Sequence, residues 1–326
     1  MAGCYRTCGE EMASALGAQA RLRYDPQVEP APDDTRELSP VAPYDLLGTV
    51  RWLRTGGRDP SFVLGARGFR RALTTSDGVA TVEVEDMGHH LRVRAWGPGA
   101  AQACASAAEL VGAHRPPWDL PSAGHRPLDD LARRYPGLRL ANPGDVFEAL
   151  LISIPQQLVT WREAVAGWRR LVLRAGSPAP LGLVASPTPR QVRALSLHDV
   201  VGCGIGRRRA ETILRCARAA GRLQEVTQMS SADAMDRLQR VRGIGPWTAA
   251  SVLGQRLGRA DVVIEGDVHL PNTVAYGLVG QARSDDAGMR ELLAPYAGHE
   301  MRVVMLLMAG GVSAPRRGPK VAPRWR

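Results

Sequence analysis

The apolar residues of this chain are strand-like up to Trp96 and helical throughout beyond a proline-rich stretch, Pro116, Pro117, Pro121 and Pro127. Ahead of it the period is two. Val82 and Val84 alternate with polar neighbours across Thr81–Glu85, and Leu91, Val93 and Ala95 alternate with Arg92 and Arg94. Behind it the period is that of a helix. Trp161, Ala164, Val165, Trp168, Leu171 and Val172 form one stripe, and Ala210, Ile213, Leu214 and Ala217 form another. Ala249, Val252, Leu253 and, less regularly, Leu257 form a third. Neither period can serve the other element, so a sheet-bearing part must precede a helical one.

This reading predicts an α+β fold. A small antiparallel β-sheet with a helix spans residues 41–114, and an all-α bundle spans 115–311. The pattern is strand-like from about Pro43 to Trp96, with Asp77-Gly78 as a hairpin turn signal. Pro98 then opens an alanine-rich helix that ends near Gly112. Residues 1–40, with Pro26, Pro30, Pro32 and Pro40, read as a disordered leader, and residues 312–326 as a basic flexible tail.

Composition narrows the function. The formal charge is +10, and it is unevenly placed, −2 over residues 1–114 and +12 over 115–326. An anion-binding surface is therefore expected on the helical part. A coding bias toward arginine explains the excess equally well, since Lys320 is the chain's one lysine. Five cysteines without a CxxC pair argue against a disulfide framework or a four-cysteine metal cluster. The apolar run Val303–Met308 is too short to span a bilayer, and Glu10 and Glu11 interrupt the N-terminus where a signal peptide is apolar. A reduced, cytoplasmic protein is expected.

The segment Val241-Arg242-Gly243-Ile244-Gly245-Pro246 lies between two helical stretches. Glycines on both sides of one apolar residue allow a tight turn and a close backbone approach. Ile244 is placed to point back between the helices, and Pro246 suits the first position of the second one. The free N–H groups at that helix start then face outward, where they suit a phosphate. The alternative is a plain corner in a bundle. About twenty residues later comes Gly266-Asp267-Val268-His269. Asp267 reads as a helix N-cap. If the turn is a helix–hairpin–helix element that grips a DNA backbone, a carboxylate beside it is unfavourable unless it stabilises positive charge developing in a transition state.

With these two segments the chain resembles the helix–hairpin–helix DNA glycosylase superfamily, and within it the bacterial 3-methyladenine DNA glycosylase II type. Pro43-Tyr44-Asp45, Tyr135–Leu140, Asp145–Ala149, Gln156–Val159, Pro187-Thr188-Pro189, Arg207–Ala210 and Arg237–Ala249 follow in family order over roughly residues 41–311. The resemblance implies that Asp267 is the catalytic carboxylate. It implies that Arg242, Gly243, Ile244, Gly245 and Thr248 form the DNA-binding hairpin, with a monovalent cation at the carbonyls of Val241 and Gly243. Trp247 and His269 would line the base pocket, and Gln157 and Leu158 would form the wedge that fills the space of the flipped base. Core packing is the alternative for Trp247, and a structural role that for His269.

Bifunctional members of the superfamily carry a lysine where Trp247 stands, so the resemblance implies a monofunctional enzyme with water as nucleophile. The implied partner is double-stranded DNA containing damaged bases, engaged by a nucleoid-associated monomer without a cofactor or a membrane. A catalytically inactive DNA-binding protein and a glycosylase for another lesion remain alternatives. Ser251, Met305 and Met308 stand where pocket aromatics are expected, which leaves the lesion range open. Gly202–Gly206 reads as a turn before the Arg207 helix rather than a nucleotide loop, and Arg207–Arg209 as phosphate contacts or a solvated helix start. His89-His90 lacks further metal ligands, and the arginines of the tail would add nonspecific DNA affinity.

Overall fold

The computed structural model describes residues 30–315. The first part is a five-stranded antiparallel sheet built from β1 (Asp34–Leu38), β2 (Phe62–Leu64), β3 (Gly68–Thr74), β4 (Val79–Asp86) and β5 (Leu91–Trp96), in the order β1-β5-β4-β3-β2. The alternation read from the sequence sets the register. Val82 faces Ala95 and Val84 faces Val93, and all four are buried. Gly78, at φ 136°, closes the β3–β4 hairpin through paired hydrogen bonds between Thr75 and Gly78. Two short helices accompany the sheet. α1 (Leu46–Val50) is capped by Asp45, whose Oδ1 accepts from Gly48 N at 2.8 Å. α2 (Ala100–Val111) ends on Gly112 in the left-handed region and packs its alanine face on the sheet.

The second part holds α3 (Arg126–Arg134), α4 (Val146–Ser153), α5 (Trp161–Ala175), α6 (Pro189–Arg193), α7 (Leu197–Gly202), α8 (Arg207–Gln224), α9 (Ser231–Gln239), α10 (Pro246–Ser251), α11 (Leu270–Val279), α12 (Asp286–Leu293) and α13 (Glu300–Ala309). Thr160, Thr188 and Ser196 start α5, α6 and α7 with capping boxes. The buried faces of these helices form one core around Trp168, Leu150, Ile213 and Leu253.

Four expectations are corrected. Asp34–Leu38, assigned to the leader, pairs along its full length with β5 and covers that strand's open edge. Its sequence, DTREL, has no apolar alternation because most of its side chains face solvent. Residues 46–53, within the strand-like stretch, are helical, since Asp45 caps them and Leu46 and Val50 bury one helical face. The second part is not purely α. The two-residue strands β6 (Ser177–Pro178) and β7 (Val184–Ala185) form a small hairpin against β3, and they are too short to show a period. Pro127 is no boundary residue but sits in the first turn of α3. The rest of the expected leader (1–29) and of the expected tail (316–326) lies outside the described residues.

A layer of buried charge joins the two parts. Arg71 of β3 pairs with Glu148 of α4, which also accepts from Ser186 Oγ at 2.8 Å. Arg256 donates to the carbonyl of Trp52 at 3.2 Å. Arg139, fully buried, donates to the carbonyls of Val41 and Pro43, while Asp45 N donates to Gly137 O at 2.8 Å. The segments around Tyr44 and Leu138, far apart in sequence, thus touch.

Candidate active site

The site is built on the turn between α9 and α10. Its two glycines answer to different constraints. Gly243 lies at φ 102°, and a Cβ there would overlap the Thr212 hydroxyl of α8. Gly245 has no atom within 4 Å of its Cβ position, so the backbone beside it opens to the outside. Ile244 is buried between the helices, as its position in the turn predicts. Arg242 is exposed and Thr248 is buried.

Two side chains tie this turn to neighbouring elements. Arg215 Nη1 donates to Arg242 O at 2.6 Å and to Thr212 Oγ1 at 3.2 Å. Gln157 Nε2 donates to Gly243 O at 2.9 Å and to Thr248 Oγ1 at 2.8 Å. These bonds bear on the expected cation. Gly243 O already accepts from Gln157, Val241 O accepts from Ile244 N at 2.9 Å, and a guanidinium sits on the carbonyl between them. Two half-used neutral carbonyls beside a positive charge are a poor donor set for a second cation.

Leu158 follows Gln157 on the same loop. Its φ is 54° and its relative exposure 104%, so an apolar side chain stands free of the surface on strained backbone. The loop beneath it is rigidly held. Arg209 Nη1 donates to Pro155 O at 2.9 Å and to Gln157 O at 3.3 Å. Arg209 is thus turned inward as a brace for the loop rather than outward to phosphate, while Arg207 and Arg208 are exposed.

Asp267 lies on the loop between the turn and α11, two residues ahead of that helix's N-cap, His269, and so is not itself the N-cap expected from the sequence. Oδ1 accepts from His269 N at 2.8 Å and from Leu270 N at 2.9 Å, which closes a turn at the entry to α11. Oδ2 accepts from Trp247 Nε1 at 3.0 Å. The carboxylate is half-buried and three donors fix its plane. Gly266, at φ 77°, precedes it and donates its N–H to Asp286 Oδ2 at 3.0 Å. Trp247, in the first turn of α10, is half-buried against the helical core. His269 contributes a backbone N–H and its ring is exposed.

The structure therefore brings Trp247 to Asp267, and Gln157 to Gly243 and Thr248. Ser251 and Met305 are interior residues of the helical core. Arg209, Thr212, Arg215 and Asp286 hold the turn and its neighbouring loops, and of these the sequence points only to Arg209, as a phosphate contact rather than a brace. Among the described residues no group of three or more His, Cys, Asp or Glu is arranged to hold a metal, and no helix is long and apolar enough to cross a membrane.

No family model matches the chain. It is 31% identical over 151 residues to the Bacillus subtilis (strain 168) protein named "Putative DNA-3-methyladenine glycosylase YfjP", covering 45% of this chain and 52% of that one. The chain spans about half the length of the curated relatives it matches. In structure it is similar to a 3-methyladenine DNA-glycosylase from Archaeoglobus fulgidus, with a TM-score of 0.69 at 21% identity over 84% of this chain and 97% of that one. It is also similar to the 8-oxoguanine glycosylase/lyase of Clostridium acetobutylicum, solved with double-stranded DNA, with a TM-score of 0.62 at 14% identity over 86% and 99%.

Proposed function

We propose that this chain, whose α+β fold is that of the helix–hairpin–helix DNA glycosylases, is a monofunctional DNA N-glycosylase of base excision repair that removes alkylated purines, 3-methyladenine first. The observation that carries this reading is the constellation at the turn. A carboxylate oriented by three donors stands beside an aromatic ring, next to a turn with an open backbone and a loop that projects Leu158.

Each part has a chemical task. The open backbone at Gly245 and the start of α10 receive a DNA phosphate. Leu158 enters the stack and holds the place of the extruded nucleotide, because the glycosidic bond is out of reach inside the duplex. Trp247 offers its face to the electron-poor alkylated purine. As the bond to the base breaks, positive charge grows on the sugar, and Asp267 stabilises that charge more in the transition state than in the ground state. The cationic base departs neutral with the bonding electrons, and water bonds to C1′ and gives up one proton to solvent, leaving an abasic site and an intact strand. Trp247 cannot form the Schiff base that a lysine would, and Lys320 belongs to the tail outside the described residues.

Release of free base from methylated duplex DNA tests the reading. Asp267→Asn is expected to keep DNA binding and to slow base release by roughly two to four orders of magnitude. Near-wild-type release by that variant, or an enzyme–DNA adduct trapped by borohydride, overturns the assigned mechanism. A salt-sensitive gel shift without any base release overturns the enzymatic reading itself.

A further inference from the structure

Away from the turn, the stretch that follows α2, Leu140, Gly258 and the N-terminal end of α13 line a half-open cleft of about 250 Å³. Its wall presents Arg115, His299 and Arg302 together with Trp118. Arg302 Nη1 donates to His299 Nδ1 at 2.9 Å. That ring nitrogen accepts, so the imidazole is neutral and its Nε2–H remains as a donor. Burial and then the Arg302 charge hold His299 below its usual value, in agreement with this tautomer. Arg302 Nε is buried with no partner, and among the described residues no carboxylate pairs with Arg302. Arg115 is shared with Glu109 at 2.5 Å and lies close enough to Arg302 to disfavour its charge. Asp119, the carboxylate on the wall, is exposed at the rim.

Two guanidiniums facing one cleft repel each other, so the Arg115 charge disfavours that of Arg302. A planar fork of N–H donors suits an oxyanion, and an unused N–H in such a fork is an unmade charge-assisted bond. The volume exceeds the ~30 Å³ of one water several times over, enough for a tetrahedral anion with a substituent. We propose that this cleft binds a small phosphate-type oxyanion between Arg302 and Arg115, with His299 Nε2 as a further donor and any organic substituent against Trp118. The site is independent of the glycosylase reading, and inorganic phosphate and a nucleoside monophosphate share its chemistry.

Calorimetric titration of the full chain with inorganic phosphate, at constant ionic strength in chloride and constant pH, tests the proposal. Saturable binding is expected, weakened about tenfold or more in Arg302→Gln. Titration with adenosine monophosphate distinguishes the sources. Tighter binding than phosphate, with a change in tryptophan emission that Trp118→Leu removes, makes a nucleotide the ligand, and equal or weaker binding makes it the free anion. Without phosphate, Arg302→Gln is expected to melt at or above the wild-type temperature, since it removes a repelling charge; a structural arginine would lower it. Absence of saturable binding, equal affinity in Arg302→Gln, or an effect of that variant on duplex DNA affinity alone each overturns the proposal.

Discussion

Leu158 occupies a backbone conformation that a β-carbon disfavours, and its apolar side chain is left in water. Neither feature contributes to folding, so the residue is retained at the expense of stability, as functional positions often are. Leu158→Gly is accordingly expected to leave the unfolding free energy unchanged or to raise it by up to ~1 kcal/mol. The same variant is expected to release base at least about tenfold more slowly, because an unfilled stack lets the nucleotide return. Chemical denaturation and a base-release assay on one preparation check both halves. Lower stability with full activity contradicts the wedge. Asp267 makes the complementary point. One oxygen holds the two N–H groups at the entry to α11, and the second meets Trp247 Nε1, so the turn before the helix also aims the carboxylate.

At the scale of the element, the two glycines of the α9–α10 turn are expected to separate folding from binding. Gly243→Ala places a side chain at φ 102° and against Thr212, which is expected to cost ~2–3 kcal/mol of stability. Gly245→Ala meets open space at φ −99°, so its melting temperature should stay near wild type. Its added methyl group stands where the proposed function has a DNA phosphate approach, so on that reading DNA affinity should fall about tenfold in a fluorescence titration. Equal effects of the two variants on stability would show that the turn is constrained differently. The helix after the turn has its own irregularity. The stripe Ala249, Val252, Leu253 drifts at Leu257 because Val252–Arg256 is wound as a π-helix, which carries Arg256 into the buried charge layer.

The whole molecule depends on that layer between the sheet and the helices. Burial, and then the nearby Glu148 charge, push the Asp145 carboxyl upward, while burial pushes Asp59 upward and lowers Arg256 to about 10. A carboxyl raised in the folded state binds its proton more tightly there. The stability it contributes is present below the ordinary carboxylate value and is lost as pH rises through the folded value. Asp145→Asn keeps an acceptor for Glu148 N and cannot titrate, so its unfolding free energy should fall less from acidic to neutral pH than that of the wild type. Denaturant titrations at several pH values check the slopes, and parallel profiles contradict the assignment. Burial also raises the thiols of Cys104 to about 11 and Cys216 to about 12, and it raises Cys203. At neutral pH these three should resist alkylation until the chain unfolds, as read by peptide mass analysis.

The order of sheet and helices and the turn at Gly243 and Gly245 were legible in the sequence, and Trp247 and Asp267 entered as candidates through the resemblance, without the bond between them. Hydrophobic period and glycine geometry are set by near neighbours, and the motif residues lie within one short span. Strand β1 was illegible because its side chains face water and its pairing partner lies some sixty residues away. The braces at Gln157, Arg209, Arg215 and Asp286 were equally hidden as braces. Their bonds join segments that only packing brings together, such as Gln157 and Thr248, 91 residues apart. The sequence by itself determined which groups can do chemistry and which backbone can bend to admit a partner. Only the tertiary structure decided which of those groups are aimed, because a hydrogen bond between distant segments exists only once both have been buried against the same core.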